Sequence, residues 1–174
     1  MPLINNRFRQ MNKTLKNFLF PKLTRRFLLR IFLLITASYV FFGHICRPMR
    51  VEGISMEPTY RDGKITFCWR PAFRGRDPQN GELVVIRFAG RQAALLKRVI
   101  GTGGDVLEFR DGVLYRNGEA VHEVYLIKPS DWNMPPRLVK EGHFYVVGDN
   151  RSMHIDNHLF GEVVRHRILG VPLL

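Results

Sequence analysis

Asp105-Val-Leu-Glu-Phe-Arg-Asp-Gly-Val-Leu-Tyr-Arg-Asn-Gly-Glu-Ala-Val-His-Glu-Val124 carries two turn dipeptides, Asp111-Gly112 and Asn117-Gly118, between short runs of strand-forming residues. Asp-Gly and Asn-Gly accept the positive φ angles of tight hairpin turns, so they are strong local signals for antiparallel pairing. The stretch predicts three strands, Asp105–Phe109, Val113–Arg116 and Glu119–Val124.

Working outward, the same signals recur on both sides. Upstream, Asp62-Gly63 precedes a β-rich run at Lys64–Trp69, and Met49–Ile54 reads as a short strand before it. Residues 70–81, with three Arg, two Pro and two Gly, read as a loop. Glu82–Ala89 and Ala93–Gly101 flank Gly90-Arg91-Gln92 and form a predicted hairpin. Downstream, residues 128–142 contain Pro129, Pro135 and Pro136 and read as a loop. His143–Val147 and Glu162–Leu169 read as strands. No long helical period occurs after residue 46, so the fold class is mainly β, an antiparallel β domain preceded by one apolar helix.

The apolar helix is Phe27 to Cys46. Twenty helical residues span ~30 Å, the thickness of a hydrocarbon core. Residues 1–30 hold eight Arg and Lys and no Asp or Glu, while residues 31–174 hold nineteen basic and fifteen acidic residues. The formal charge of +12 is therefore concentrated before the apolar run. That is the positive-inside arrangement of a membrane anchor and argues against a basic nucleic-acid-binding face. Residues 44–50 offer no small-x-small cleavage site, which favours an uncleaved anchor over a removed leader. The expected organisation is a basic cytoplasmic lead at 1–26, an anchor at 27–46 and an exoplasmic β domain at 47–174. The two cysteines, Cys46 and Cys68, make no metal site or disulfide framework and read as free thiols, a single bridge being the alternative.

Among the four serines, Ser38 lies in the apolar run and Ser130 in a proline-rich loop. Ser55 sits in Gly53-Ile54-Ser55-Met56-Glu57-Pro58-Thr59, where glycine and proline shape a turn able to present its hydroxyl. On the residues alone an ordinary turn serine is the readier reading of Ser55. A serine nucleophile needs a base, and a lysine serves only when burial lowers its pKa. Of the lysines beyond the anchor (Lys64, Lys97, Lys128, Lys140), Lys97 alone lies in an apolar strand, sharing a face with Leu95 and Val99. A lysine at a strand edge would look the same. Five histidines beyond the anchor keep a Ser–His–Asp arrangement open, but there is no Gly-x-Ser-x-Gly elbow, no Ser-x-x-Lys and no His-Glu-x-x-His.

Three stretches, in order, resemble the type I signal peptidases. They are Gly53–Thr59, then Lys97-Arg98-Val99-Ile100-Gly101 with Gly104-Asp105, then Gly148-Asp149-Asn150-Arg151 with Asp156. The resemblance implies a membrane-anchored serine endopeptidase with a signal-peptidase-like β domain. It would remove signal peptides from exported preproteins, without a cofactor, at the bacterial cytoplasmic membrane. Its N-terminus would be cytoplasmic and its partners the preprotein and the lipid bilayer, with the oligomeric state undetermined. Ser55 becomes the nucleophile and Lys97 its base. The Ser55 backbone N–H would form the oxyanion hole, and Gly53 stands where some members carry a second, hydroxyl donor. Val51, Met56, Tyr60, Leu95 and Leu96 would line shallow substrate pockets. The chain departs from the family pattern at His154, where a serine would orient the lysine, and at His158, where an arginine is usual. An Arg98–Asp156 ion pair would fix the third stretch under the site. Two other classes fit less well. One is a self-cleaving Ser–Lys regulator of the SOS-repressor type. The other is a non-catalytic membrane-anchored β domain that binds exported proteins.

Overall fold

The computed structural model describes residues 23–87, 94–128, 130–157 and 161–173. The lead up to residue 22, the turn Gly90-Arg91-Gln92 and His158 lie outside them. The chain divides into two compact units, Met1–Phe41 and Phe42–Leu174.

In the first unit, helix α1 runs Arg25–Val40. It opens at Thr24, whose side-chain oxygen accepts a hydrogen bond from the Phe27 amide at 3.3 Å, satisfying one of the free donors of the first turn. A π turn, Phe41–Ile45, continues the helical path to a total of 21 residues, long and apolar enough to cross a membrane. The expected anchor ended at Cys46. The structure instead assigns Cys46 to the first strand, where it pairs with Trp69 and is buried.

The second unit holds two antiparallel sheets. Its strands are β1 Cys46–Arg50, β2 Ile65–Trp69, β3 Leu83–Arg87, β4 Ala94–Thr102, β5 Val106–Arg110, β6 Val113–Arg116, β7 Glu119–Ala120, β8 Met134–Leu138, β9 His143–Val147, β10 Gly161–Val164 and β11 Ile168–Leu173. The larger sheet has the order β1-β2-β11-β3-β4-β9-β10 and the smaller β7-β6-β5-β8. Both turn dipeptides of the 105–124 stretch carry positive φ, at Asp111 and Asn117 and at the glycines after them.

Further expectations are corrected, the first being that the strand predicted at Glu119–Val124 is only the two-residue β7, Glu119–Ala120. The predicted strand Met49–Ile54 lies earlier, as β1, and the chain leaves the sheet after Arg50. Residues 128–142 are not all loop, because β8 runs through Pro135 and Pro136. Proline cannot donate to a ladder, and β8 tolerates two because it is an outer strand and both lie where its register with β5 shifts, between Met134 and Arg137. The predicted strand Glu162–Leu169 is broken by a 3₁₀ turn at Arg165–Arg167 into β10 and β11. There Arg165 donates to the Phe73 carbonyl at 2.6 Å and pairs with Asp77 at 2.8 Å, contacts a continuous strand would forgo. Cys46 and Cys68 are buried and unbridged.

Three apolar clusters fill the unit. One, with Ile100, Leu107, Phe109, Leu114, Trp132 and Val147, joins the two sheets. A second, with Val84, Ile86, Val99 and Val146, lies on the face of the larger sheet that also carries Lys97, since Val84 is its register partner. The third packs Val51, Met56 and Tyr60 against Val85 and Leu96. It seats the Ser55 turn on β4, the strand that carries Lys97.

Candidate active site

The turn that carries Ser55 is built by its backbone. Gly53 has φ of +87°, a region closed to most side chains, and its amide donates to Asp62 Oδ1 at 2.8 Å. A short helical turn follows, in which the Tyr60 amide donates to the Met56 carbonyl at 2.9 Å. Met56 and Tyr60 are fully buried and hold the turn down by burial of apolar surface.

Lys97 lies in the middle of β4, opposite Val84, and is 2% exposed. Burial disfavours its charged form and brings its pKa down from 10.5 to about 8, with the nearby Asp149 carboxylate working against the shift. A substantial fraction of Lys97 is therefore neutral at mildly alkaline pH and able to accept a proton.

The third stretch ties the other two together. The Asn150 amide donates to the Ser55 carbonyl at 3.0 Å, and Asn150 Nδ2 to the Ile54 carbonyl at 3.1 Å. Thr59 Oγ1 donates to Asp149 Oδ2. Asp149 also accepts two hydrogen bonds from Arg98, Nε at 2.7 Å and Nη2 at 2.6 Å, a fork that fixes distance and orientation together. Arg98 is in turn stacked on Tyr125, 3.8 Å from the ring centroid, and Tyr125 donates to Glu123. Glu123 pairs with the fully buried Arg151, whose Nε donates to the Gly148 carbonyl at 2.9 Å. A continuous polar path thus runs from the Ser55 turn, through the residue after Lys97, and back to Gly148.

These contacts change the assignments made from sequence. The partner of Arg98 is Asp149, not Asp156, whose side chain is 84% exposed. His154 is exposed too, with Nδ1 3.4 Å from the Asp156 carboxylate, and does not stand in for an orienting serine beside the buried lysine. Both follow a chain that turns outward after Arg151, through Ser152 and Met153, which are exposed. Of the expected pocket residues, Val51, Met56, Leu95 and Leu96 line a small depression with Ser55 and Gly53. Met49, Glu52 and Ala94 complete it. Tyr60 is not part of that lining and is wholly buried. Asp149 and Thr59 lie in the stretches quoted above, but their contacts, and the part of Tyr125, are not legible in the sequence. The pairing of β4 with β9 brings Asp149 to Arg98: Arg98 opposes Val147, two residues before Asp149.

The family described as signal peptidase, peptidase S26, matches residues 24–173. A probable signal peptidase I-1 from Synechocystis sp. is 29% identical over 154 residues, covering 84% of this chain and 78% of its own. Signal peptidase I from Bacillus licheniformis is 29% identical over 166 residues, covering 89% and 87%. A crystal structure of a signal peptidase I from Enterococcus faecalis is 28% identical, with a TM-score of 0.46, over 55% of this chain and 97% of that one.

Proposed function

The chain belongs to the signal peptidase family, peptidase S26, and on that premise we propose that it is a membrane-anchored serine endopeptidase that removes signal peptides from preproteins, with Ser55 as nucleophile and Lys97 as general base. The observation that carries the reading is the buried Lys97, its pKa lowered by burial to about 8, on the strand whose Leu95 and Leu96 share a depression with Ser55. Neutral Lys97 Nζ takes the Ser55 hydroxyl proton as Oγ attacks the scissile carbonyl carbon. The resulting oxyanion is met by the Ser55 backbone N–H. Collapse passes the proton from Lys97 to the departing amine and leaves an acyl-enzyme on Ser55. The same lysine then activates the water that releases the signal peptide.

Sheet pairing supplies the docking edge. Over Ala94–Lys97, β4 pairs with β3, while β9 pairs with it only from Arg98 onward. An extended peptide added along Ala94–Lys97 completes the ladder and lays alternate side chains into the depression. The small volume of that depression suits small side chains. Residues 25–45 would be the single span, with the basic N-terminus cytoplasmic and residues 47–174 exoplasmic, so that enzyme and substrate share one bilayer and a raised effective concentration. The membrane would be the bacterial cytoplasmic one.

The direct test is cleavage of a preprotein by the purified full chain in detergent. Wild type is expected to cut after a small-x-small sequence, and Ser55→Ala is expected to leave the substrate intact. Turnover by Ser55→Ala comparable to wild type would reject the nucleophile.

A further inference from the structure

A cavity of about 620 Å³ adjoins the Ser55 depression and shares Met49, Glu52 and Ala94 with it. Its wall carries four arginines, Arg47, Arg50, Arg70 and Arg87, against one carboxylate, Glu52. All four are exposed, and none has an ion-pair partner among the described residues. At the cavity's edge, burial pushes the Cys68 thiol up to about 11, while the Arg70 and Arg47 charges act in the opposite direction. Unpaired like charges around one concavity repel each other and raise its positive potential, which an anionic group entering it relieves.

The register ties this charge to the same strand. Arg87 pairs with Ala94 of β4. Ala94 lines both the Ser55 depression and the arginine-lined cavity, so a substrate laid along Ala94–Lys97 passes from one into the other.

We propose that this cavity is a substrate subsite that takes an acidic side chain at a position outside the small-x-small sequence, so that the enzyme selects for Asp or Glu there and against Lys or Arg. This rests on the peptidase reading above and adds a specificity to it. Continuity with the Ser55 depression favours a peptide occupant over the headgroup of an anionic lipid. Arginine suits the role because its planar fork meets a carboxylate through two parallel hydrogen bonds.

The test uses the full chain in detergent and a peptide panel built on one cleavable sequence. Asp, Asn or Lys is placed singly at each position from second to sixth on either side of the cut, the small residue third before it being kept. The expected result is a kcat/KM for Asp over Asn of about fivefold at one or two adjacent positions, the size that two partly exposed charge contacts produce. Lys should fall below Asn at the same positions. In Arg50→Gln/Arg87→Gln the Asp-to-Asn ratio should fall towards one, and in wild type it should shrink with added salt. Equal kcat/KM for Asp and Asn at every position, with the Asn peptides still cut, would overturn the subsite and leave the peptidase reading intact. No cleavage of any peptide would instead count against the peptidase reading. If the double variant differs from wild type only on vesicles containing phosphatidylglycerol, and not on the peptide panel, the cavity serves lipid and the proposal fails.

Discussion

Replacing Lys97 by methionine separates the cost of the buried amine from its use. Methionine is nearly the same length, fills the site and carries no charge. The lysine is held at a pKa of about 8 where an exposed one has 10.5. At ~1.4 kcal/mol for each tenfold step in proton affinity, that gap corresponds to roughly 3 kcal/mol of destabilisation when the amine is protonated in both folded and unfolded chains. Asp149 attraction is already contained in that figure, because it acts on the same pKa. The sign follows from proton counting. Between about pH 8 and 10.5 the unfolded lysine holds more proton than the folded one, so wild-type stability rises with pH across that window. Below pH 8 both forms are protonated and the full penalty stands. Lys97→Met has neither the penalty nor the slope. At pH 6.5 it should be the more stable protein by up to about 3 kcal/mol, and the difference should close between pH 8 and 10.5. Denaturant unfolding of both proteins across that pH range, alongside preprotein cleavage, is the assay. The variant should cut nothing, whereas wild-type rate should climb with pH towards about 8 as the base is released from its proton. A Lys97→Met that is less stable than wild type at pH 6.5, or that still cleaves, would refute the reasoning.

Asp149→Asn should be among the most damaging single changes, because it leaves the Arg98 guanidinium, whose side chain is 11% exposed, without its carboxylate. A loss of about 3–5 kcal/mol in unfolding free energy is expected, and the rising limb of any residual activity should move to lower pH, since a charge that raises the Lys97 pKa has gone. Asp156→Asn, by contrast, should change stability by no more than about 0.5 kcal/mol and leave the rate near wild type, as its side chain is 84% exposed. Melting curves and turnover of the two variants measured side by side check both. For topology, protease added to intact spheroplasts should digest residues 47–174, and complete protection of that part would contradict the proposed orientation.

The mainly β character was legible because it is written in local chemistry. Asp111-Gly112 and Asn117-Gly118 admit the positive φ that hairpins need whatever surrounds them. The charge bias before Phe27 and the apolar run after it are likewise properties of the chain alone. So were Ser55 and Lys97 as candidates, since turn residues around a serine and aliphatic neighbours around a lysine can be counted without coordinates. Their partners could not be read that way. Asp149 and Asp156 lie on the same side of Arg98 in sequence and differ little in type. Only the pairing of β4 with β9 decides which carboxylate meets the guanidinium, and the outward turn after Arg151 leaves Asp156 and His154 in water. The two prolines of β8 pointed to a loop, and an edge position together with a register shift reversed the outcome, because the outer side has no ladder and the shift leaves both prolines without a partner on β5. The four arginines were visible only as scattered charge. Strands β1 and β3 and the turn after β2, separated by up to forty residues of chain, bring them to one cavity. Local conformation follows from each residue's own sterics and polarity. Which distant charge meets which is fixed by strand order and register, and those depend on burying apolar faces contributed by the whole chain.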